Sequence, residues 1–115
     1  MLFFSERFKR WQDRHRHDMS ELDRVERELK HIQDNPHTGK PLGIPCLHEK
    51  KFGNKRILYL YYDDLHAVFV IDVVDKKHQK QEISLIREHV HLFRDHIQKA
   101  FHKNTQAKHV NNTGP

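Results

Sequence analysis

The sequence has a single cysteine, Cys46, and only four glycines and four prolines among 115 residues. One cysteine excludes an internal disulfide and a zinc site built from several cysteines, and it favours a reducing compartment. No apolar run approaches the roughly 20 residues that a membrane-spanning helix needs, and the first residues lack the apolar stretch of a secretion signal. We therefore expect a cytoplasmic protein without a membrane partner.

Positive charge, by contrast, is in excess. The sequence contains 21 lysines and arginines against 16 acidic residues, which gives a formal net charge of +5, and it adds 12 histidines. A chain of this length is typical of one domain, and an excess of positive charge attracts polyanions, of which nucleic acid is the commonest. The charge alone therefore favours a nucleic-acid-binding protein, and this interpretation requires no enzymatic role.

The periodicity of apolar residues predicts three helices. From Phe4 to Trp11 an apolar residue recurs every three or four positions, which is one face of a first helix. Asp18 and Glu21 have the spacing of a capping box that begins a second helix, and the Asn-Pro pair at 35–36 ends it. The short connection predicts that these two helices form an antiparallel hairpin. The apolar stripes of the second and third helices are Leu22, Val25, Leu29 and Ile32, and Ile83, Ile86, Val90, Phe93, Ile97 and Phe101.

Between the second and third helices the sequence changes to a loop and then to short apolar segments. Three segments separated by turn residues predict an antiparallel meander, and residues 2–5 predict a further short strand. The order β-α-α-β-β-β-α predicts an α+β domain over residues 1–103, with the helices on one sheet face. A flexible polar tail is expected at 104–115. The segments of the meander are residues 47–52, 56–62 and 66–74.

Three motifs in this order resemble those of the RelE/ParE toxins of type II toxin–antitoxin systems. Residues 32–42 resemble the pattern I-x-x-N-P-x-x-G-K-P-L, residues 55–59 resemble Y-R-I-x-Y, and residues 68–78 resemble an apolar strand that ends in a basic turn. The resemblance implies a RelE-like fold, in which a helical hairpin packs on a small antiparallel sheet with a C-terminal helix. Two departures are a lysine, Lys55, in place of the motif's tyrosine, and the absence of a tyrosine from residues 79–83.

The resemblance implies an endoribonuclease, or mRNA interferase, that cleaves messenger RNA, including messenger RNA bound to the ribosome. Such cleavage needs no metal or other cofactor, because the ribose 2′-hydroxyl attacks the adjacent phosphate. The implied protein partner is an antitoxin that wraps the helices. In ribonuclease members the absent tyrosine helps to position the RNA, so a second hypothesis stays open. In that hypothesis the chain is a non-catalytic binding module, either a gyrase-inhibiting relative or an inactive toxin homologue.

The resemblance also implies a set of site residues. Arg56 matches a phosphate-binding arginine, and Lys50 and Lys76 match basic positions on the neighbouring strands; these three are the predicted catalytic residues. His78 follows Lys76 and is able to exchange protons near neutral pH. We expect the groups to converge on one sheet face, although solvated surface charge is the alternative interpretation. The predicted substrate-binding residues are His48, Lys51, Lys77 and His78, with His48 on the strand face of Lys50.

Histidines and tyrosines elsewhere invite weaker hypotheses. His89, His91 and His96 lie near one another on the last helix, but their spacing matches no known metal motif. We therefore expect no metal site, because a polar helix face explains these histidines equally well. Strand alternation places Tyr59 and Tyr61 on one face of the sheet and Tyr62 on the other.

Overall fold

The protein is described by a computed structural model that covers residues 1–113, with side chains described through residue 100. The helices include none that is both long enough and apolar enough to span a membrane, within the residues described. Two 3-10 turns, Pro36–Thr38 and Asp63–Leu65, connect elements. The elements are β1 (Leu2–Phe4), α1 (Glu6–Arg14), α2 (Met19–Asp34), β2 (Lys40–Pro41), β3 (Leu47–Phe52), β4 (Lys55–Tyr62), β5 (Ala67–Asp75) and α3 (Gln79–Thr113).

The strands form one five-stranded sheet in the order β1-β5-β4-β3-β2. The meander β3-β4-β5 is antiparallel, which confirms the prediction and the α+β class. The sheet as a whole is mixed, because β1 runs parallel to β5. The short strand β2 covers the other edge by pairing with β3.

The predicted boundaries of α2 are confirmed, and side-chain caps begin both α1 and α2. The Ser5 hydroxyl accepts a hydrogen bond from the Phe8 backbone N–H at 3.0 Å and begins α1. The Asp18 carboxylate accepts one from the Glu21 N–H at 3.2 Å and begins α2. Asn35 adopts an extended conformation after α2 and ends it ahead of Pro36. Because each cap satisfies a backbone donor that the helix itself leaves unpaired, these residues determine where α1 and α2 begin.

Helices cover both faces of the sheet, so the prediction that they cover one face is wrong. The residues of β4 and β5 are apolar on both sides, and each side needs a cover to remove it from water. α1 and α2 pack on one face through Phe8, Trp11 and Ile32. α3 packs on the opposite face through Ile86 and Ile97. We call the side covered by α1 and α2 the hairpin face, after the predicted hairpin of these two helices, and the side covered by α3 the α3 face.

The long helix α3 continues to Thr113, past the predicted start of the polar tail at Asn104. The domain boundary at residue 103 stays a prediction. Phe101, the last residue of the predicted apolar stripe, lies outside the residues whose side chains are described. Three other residues of that stripe, Ile83, Val90 and Phe93, pack against the core of the α3 face.

A buried tyrosine links the loop after α2 to the sheet. The Tyr59 hydroxyl donates to the Pro36 carbonyl oxygen at 2.6 Å and accepts from the Gly39 N–H at 3.0 Å. Replacing Tyr59 with phenylalanine leaves the buried Gly39 N–H unpaired, so we expect the free energy of unfolding to fall by about 1–3 kcal/mol. Urea denaturation measures this loss. Tyr61→Phe is the matched control, because its hydroxyl contacts the exposed Asp63, and an equal effect of both variants would contradict the prediction.

Candidate nucleic-acid interface

Basic side chains gather at the end of the sheet where the β3–β4 hairpin turns and β5 finishes. Lys51 of β3 lies opposite Arg56 of β4, which in turn lies opposite Val74 of β5. Neighbouring strands are about 4.8 Å apart, so the turn after β5 lies beside the turn between β3 and β4. We call Lys51, Lys76, Lys77 and His78 the basic end; all four are exposed.

Three members of the basic end carry uncompensated charge. Lys51, Lys76 and Lys77 take part in none of the ion pairs formed within the described side chains. Lys55, which begins β4 nearby, differs because its amine lies 2.7 Å from the Glu21 carboxylate. The three free ammonium groups therefore present a local positive surface, which suits the phosphates of a nucleic acid.

Arg56 lies beneath this surface and is already paired. Its side chain is buried, and its Nε lies 3.4 Å from the Glu49 carboxylate, which is itself only 4% exposed. The Gln79 amide at the start of α3 donates to the same carboxylate. The guanidinium charge is thus largely compensated inside the protein. Sequence reasoning missed Glu49, although it stands two residues from Lys51 and therefore shares its strand face.

The predicted convergence of all site residues on one sheet face is wrong. Gly53 and Asn54 form a two-residue turn that places Lys51 opposite Arg56. Residues that lie directly opposite each other on paired strands share a face, so Lys51 lies on the α3 face with Arg56. Neighbouring residues of one strand point to opposite faces. His48 and Lys50 consequently point to the hairpin face.

On the hairpin face, Lys50 and His48 have local partners. The Lys50 amine donates to the Thr38 hydroxyl at 3.1 Å and lies 4.0 Å from the Glu28 carboxylate. The His48 ring stacks on Tyr59 with a centroid distance of 5.3 Å. The face shared by His48 and Lys50 is confirmed, as is the opposite placement of Tyr62 from Tyr59. These contacts explain both basic side chains as parts of the packing around α2.

His78 is held in a defined orientation. Its ring nitrogen Nδ1 lies 2.8 Å from Asp75 Oδ1, and its backbone N–H donates to the same oxygen at 2.9 Å. Hydrogen bonds from the backbone and then the side chain of His78 lower the pKa of the Asp75 carboxyl. Asp75 is therefore ionised near neutral pH and accepts both bonds.

The first turn of α3, where the resembling family has a tyrosine, is occupied by residues with other partners. Gln79 contacts Glu49, and Glu82 forms an ion pair with Arg7 of α1. Next to this turn is a cavity of about 420 Å³ bordered by His78, Glu82 and Asp72. Burial raises the pKa of the Asp72 carboxyl, and the nearby charge of Glu82 raises it further.

The histidines of α3 whose side chains are described belong to no candidate metal centre. No group of three or more metal-ligating side chains occurs in the part of the chain whose side chains are described. His89 instead contacts the Leu85 carbonyl oxygen one turn earlier at 2.9 Å. His96 lies near the Phe69 ring.

Comparison with solved structures identifies the arrangement of the elements. The chain superimposes on the isolated E. coli RelE toxin with a TM-score of 0.57 and 20% identity, over 75% of this chain and 97% of RelE. This chain has the RelE toxin fold. No protein-family model and no curated protein matches the sequence.

Two further RelE structures contain the antitoxin. RelE in the intact E. coli RelBE toxin–antitoxin complex matches with a TM-score of 0.57 and 23% identity, over 65% of this chain and 94% of that chain. An E. coli RelE variant with two arginine-to-alanine substitutions, in complex with a peptide of the antitoxin RelB, matches with a TM-score of 0.54 and 22% identity. That match covers 71% of this chain and 92% of the variant. The RelE-like fold expected from the motifs is thereby confirmed.

Proposed function

We propose that this protein is the toxin of a type II toxin–antitoxin pair and that it binds RNA at the basic end. The observation that carries the proposal is the cluster of exposed, unpaired lysines on a RelE fold. Lys51 lies in β3, and Lys76 and Lys77 lie in the turn that follows β5; the pairing of β3 and of β5 with β4 supports their proximity. Single-stranded RNA is a suitable ligand because its phosphates follow a positive groove.

The reaction that fits this surface is metal-independent cleavage of messenger RNA, either free or bound to the ribosome. The 2′-hydroxyl of the ribose attacks the adjacent phosphate, and cations stabilise the extra negative charge that develops on it. Lys51 and Lys76 are the proposed cations, and Lys77 contributes to binding. Lys50 has no part in this proposal, because it contacts Glu28 and Thr38 on the hairpin face. Arg56 has a structural role in this proposal, because it forms a buried ion pair with Glu49 beneath the basic end.

A binding module without catalytic activity is the second candidate. The specific observation in its favour is that Arg56 is buried and paired with Glu49, so its charge is not free for a phosphate. In this alternative the protein still binds a target through the basic end, either RNA or gyrase, but it does not cleave that target.

The protein partner that we propose is an antitoxin, and the proposed setting is the cytoplasm. The support is the presence of RelB in two of the matching complexes. A basic toxin surface is suited to an antitoxin segment that carries negative charge, because opposite potentials speed association and fix its orientation. The antitoxin in this proposal is a protein whose binding prevents RNA from reaching the basic end.

The experiment compares growth after induced expression of the wild type and of a triple variant, Lys51→Ala, Lys76→Ala and Lys77→Ala. We expect the wild type to arrest growth and to produce new messenger RNA ends in primer extension, and the triple variant to do neither. A control triple variant, Lys9→Ala, Lys30→Ala and Lys99→Ala, removes the same charge from exposed helix positions and should remain toxic. Growth arrest without new ends would support the non-catalytic alternative, and normal growth with the wild type would remove the toxin proposal.

A further inference from the structure

The contact between Asp75 and His78 determines which nitrogen of the imidazole ring carries the proton. Asp75 Oδ1 receives two hydrogen bonds, one from the His78 backbone N–H and one from ring Nδ1. An ionised carboxylate only accepts hydrogen bonds, so Nδ1 must carry the proton. In the neutral ring the other nitrogen, Nε2, is then left with its lone pair. His78 is therefore a proton acceptor with a fixed tautomer.

The position of this pair links it to the basic end. Asp75 is the last residue of β5, and His78 precedes the first residue of α3. Lys76 and Lys77 lie between them, so the two ammonium groups and the imidazole are carried by three consecutive exposed residues of one turn. The charged and titratable groups around His78 are Asp75, Lys76, Lys77 and Lys80 from its own segment, Lys55 from β4, Arg7 and His15 from α1, and Asp72 and Glu82 at the cavity.

We propose that His78 is a catalytic residue of the RNA cleavage and that Asp75 is its positioning residue, an inference that rests on the proposed ribonuclease function. His78 Nε2 takes the proton of the ribose 2′-hydroxyl while the 2′ oxygen forms a bond to the adjacent phosphorus. The bond from phosphorus to the 5′ oxygen of the next nucleotide breaks. That oxygen takes a proton from the Lys76 ammonium, which recovers one from solvent, and His78 releases its proton to solvent. The products are a 2′,3′-cyclic phosphate and a 5′-hydroxyl end.

Histidine suits this step better than the surrounding cations do. An ammonium group carries three donors and no acceptor, so a charged lysine is unable to take the proton. Imidazole changes its charge between pH 5 and 8, which permits it to act as a base near neutral pH. The negative Asp75 carboxylate also favours the imidazolium that forms when Nε2 accepts the proton. The lysines are left to bind the phosphate, and Lys76 also donates the proton to the leaving oxygen.

The test measures single-turnover cleavage of a single-stranded RNA oligonucleotide and of a translated messenger RNA. We expect His78→Ala to slow cleavage at least about 100-fold, which is the usual contribution of a general base. Asp75→Ser is the informative second variant. Serine retains an acceptor for the backbone N–H of the turn, but it removes the carboxylate from the ring. We expect this variant to unfold at the wild-type denaturant concentration and to cleave about tenfold more slowly.

A direct readout of the ring separates positioning from mere stabilisation of the turn. Nitrogen-15 NMR of the wild type should show the His78 proton on Nδ1, and Asp75→Ser should lose this preference. Wild-type cleavage rate and an unchanged tautomer in Asp75→Ser would overturn the positioning role. If His78→Ala still cleaves at the wild-type rate, the catalytic role of His78 and the positioning role of Asp75 are overturned, but the ribonuclease proposal is not. An absence of cleavage by the wild type would instead overturn the ribonuclease proposal and, with it, the catalytic role of His78.

Discussion

Replacing Glu49 with alanine is expected to lower the free energy of unfolding by about 3–5 kcal/mol, because it leaves a buried charge without its partner. Glu49 is 4% exposed and Arg56 is 9% exposed, and the Nε of Arg56 makes no hydrogen bond among the described residues, so the Glu49 carboxylate is its ionic partner. The midpoint and slope of guanidinium denaturation measure the loss. Arg56→Ala should lower the free energy of unfolding by a similar amount, because it leaves the buried Glu49 carboxylate without its ionic partner.

An exposed ion pair provides the control for this prediction. Asp13 and Arg16 lie 3.9 Å apart with side chains that are mostly exposed, so Asp13→Ala should change the free energy of unfolding by less than about 1 kcal/mol. The double substitution Glu49→Leu with Arg56→Met removes both buried charges and should recover most of the stability. Equal losses in Glu49→Ala and Asp13→Ala would contradict the importance of burial.

This prediction changes how an Arg56 variant must be used. Loss of toxicity in Arg56→Ala would result equally from loss of RNA contact and from loss of folded protein. The substitutions of Lys51, Lys76 and Lys77 avoid this ambiguity, because exposed lysines without partners contribute little to stability. They are therefore the better probes of function.

Removal of these three lysines is expected to lower affinity for single-stranded RNA about 100-fold at 0.1 M salt. Each cation that neutralises a phosphate contributes about 0.7 to the slope of log K against log salt for a single strand. Three cations therefore contribute about 2 to the slope, and the affinities of the variant and the wild type should converge as the salt concentration approaches 1 M. Fluorescence anisotropy with a labelled oligonucleotide at several salt concentrations measures both quantities.

The same triple variant of helix lysines, Lys9→Ala, Lys30→Ala and Lys99→Ala, tests whether net charge alone accounts for the binding. It alters the total charge by the same amount but lies away from the basic end. We expect its slope to remain close to that of the wild type. Equal slopes for the two triple variants would show that RNA binding is diffuse and would remove the basic end from the proposal.

Local patterns in the sequence determined most of the elements. The caps at Asp18 and Asn35 each accept a hydrogen bond from a backbone N–H two or three residues further along, so neighbouring positions are sufficient to predict where α2 begins and ends. The alternation in β4 assigns Tyr59 and Tyr62 to opposite faces for the same reason. The motifs at residues 32–42 and 55–59 also led to the RelE-like fold, which the solved structures confirm.

Tertiary structure decided what covers each side of the sheet and which charges meet. The pairing of β1 with β5 joins residues that are 66 positions apart, and the three residues of β1 carry no local signal of their partner. The Glu49 interaction with Arg56 likewise depends on the hairpin register and on Gln79 arriving from α3. A sequence shows that a residue is charged, but the register of the strands determines its face, and the elements packed on that face determine whether its charge is compensated or left for a ligand.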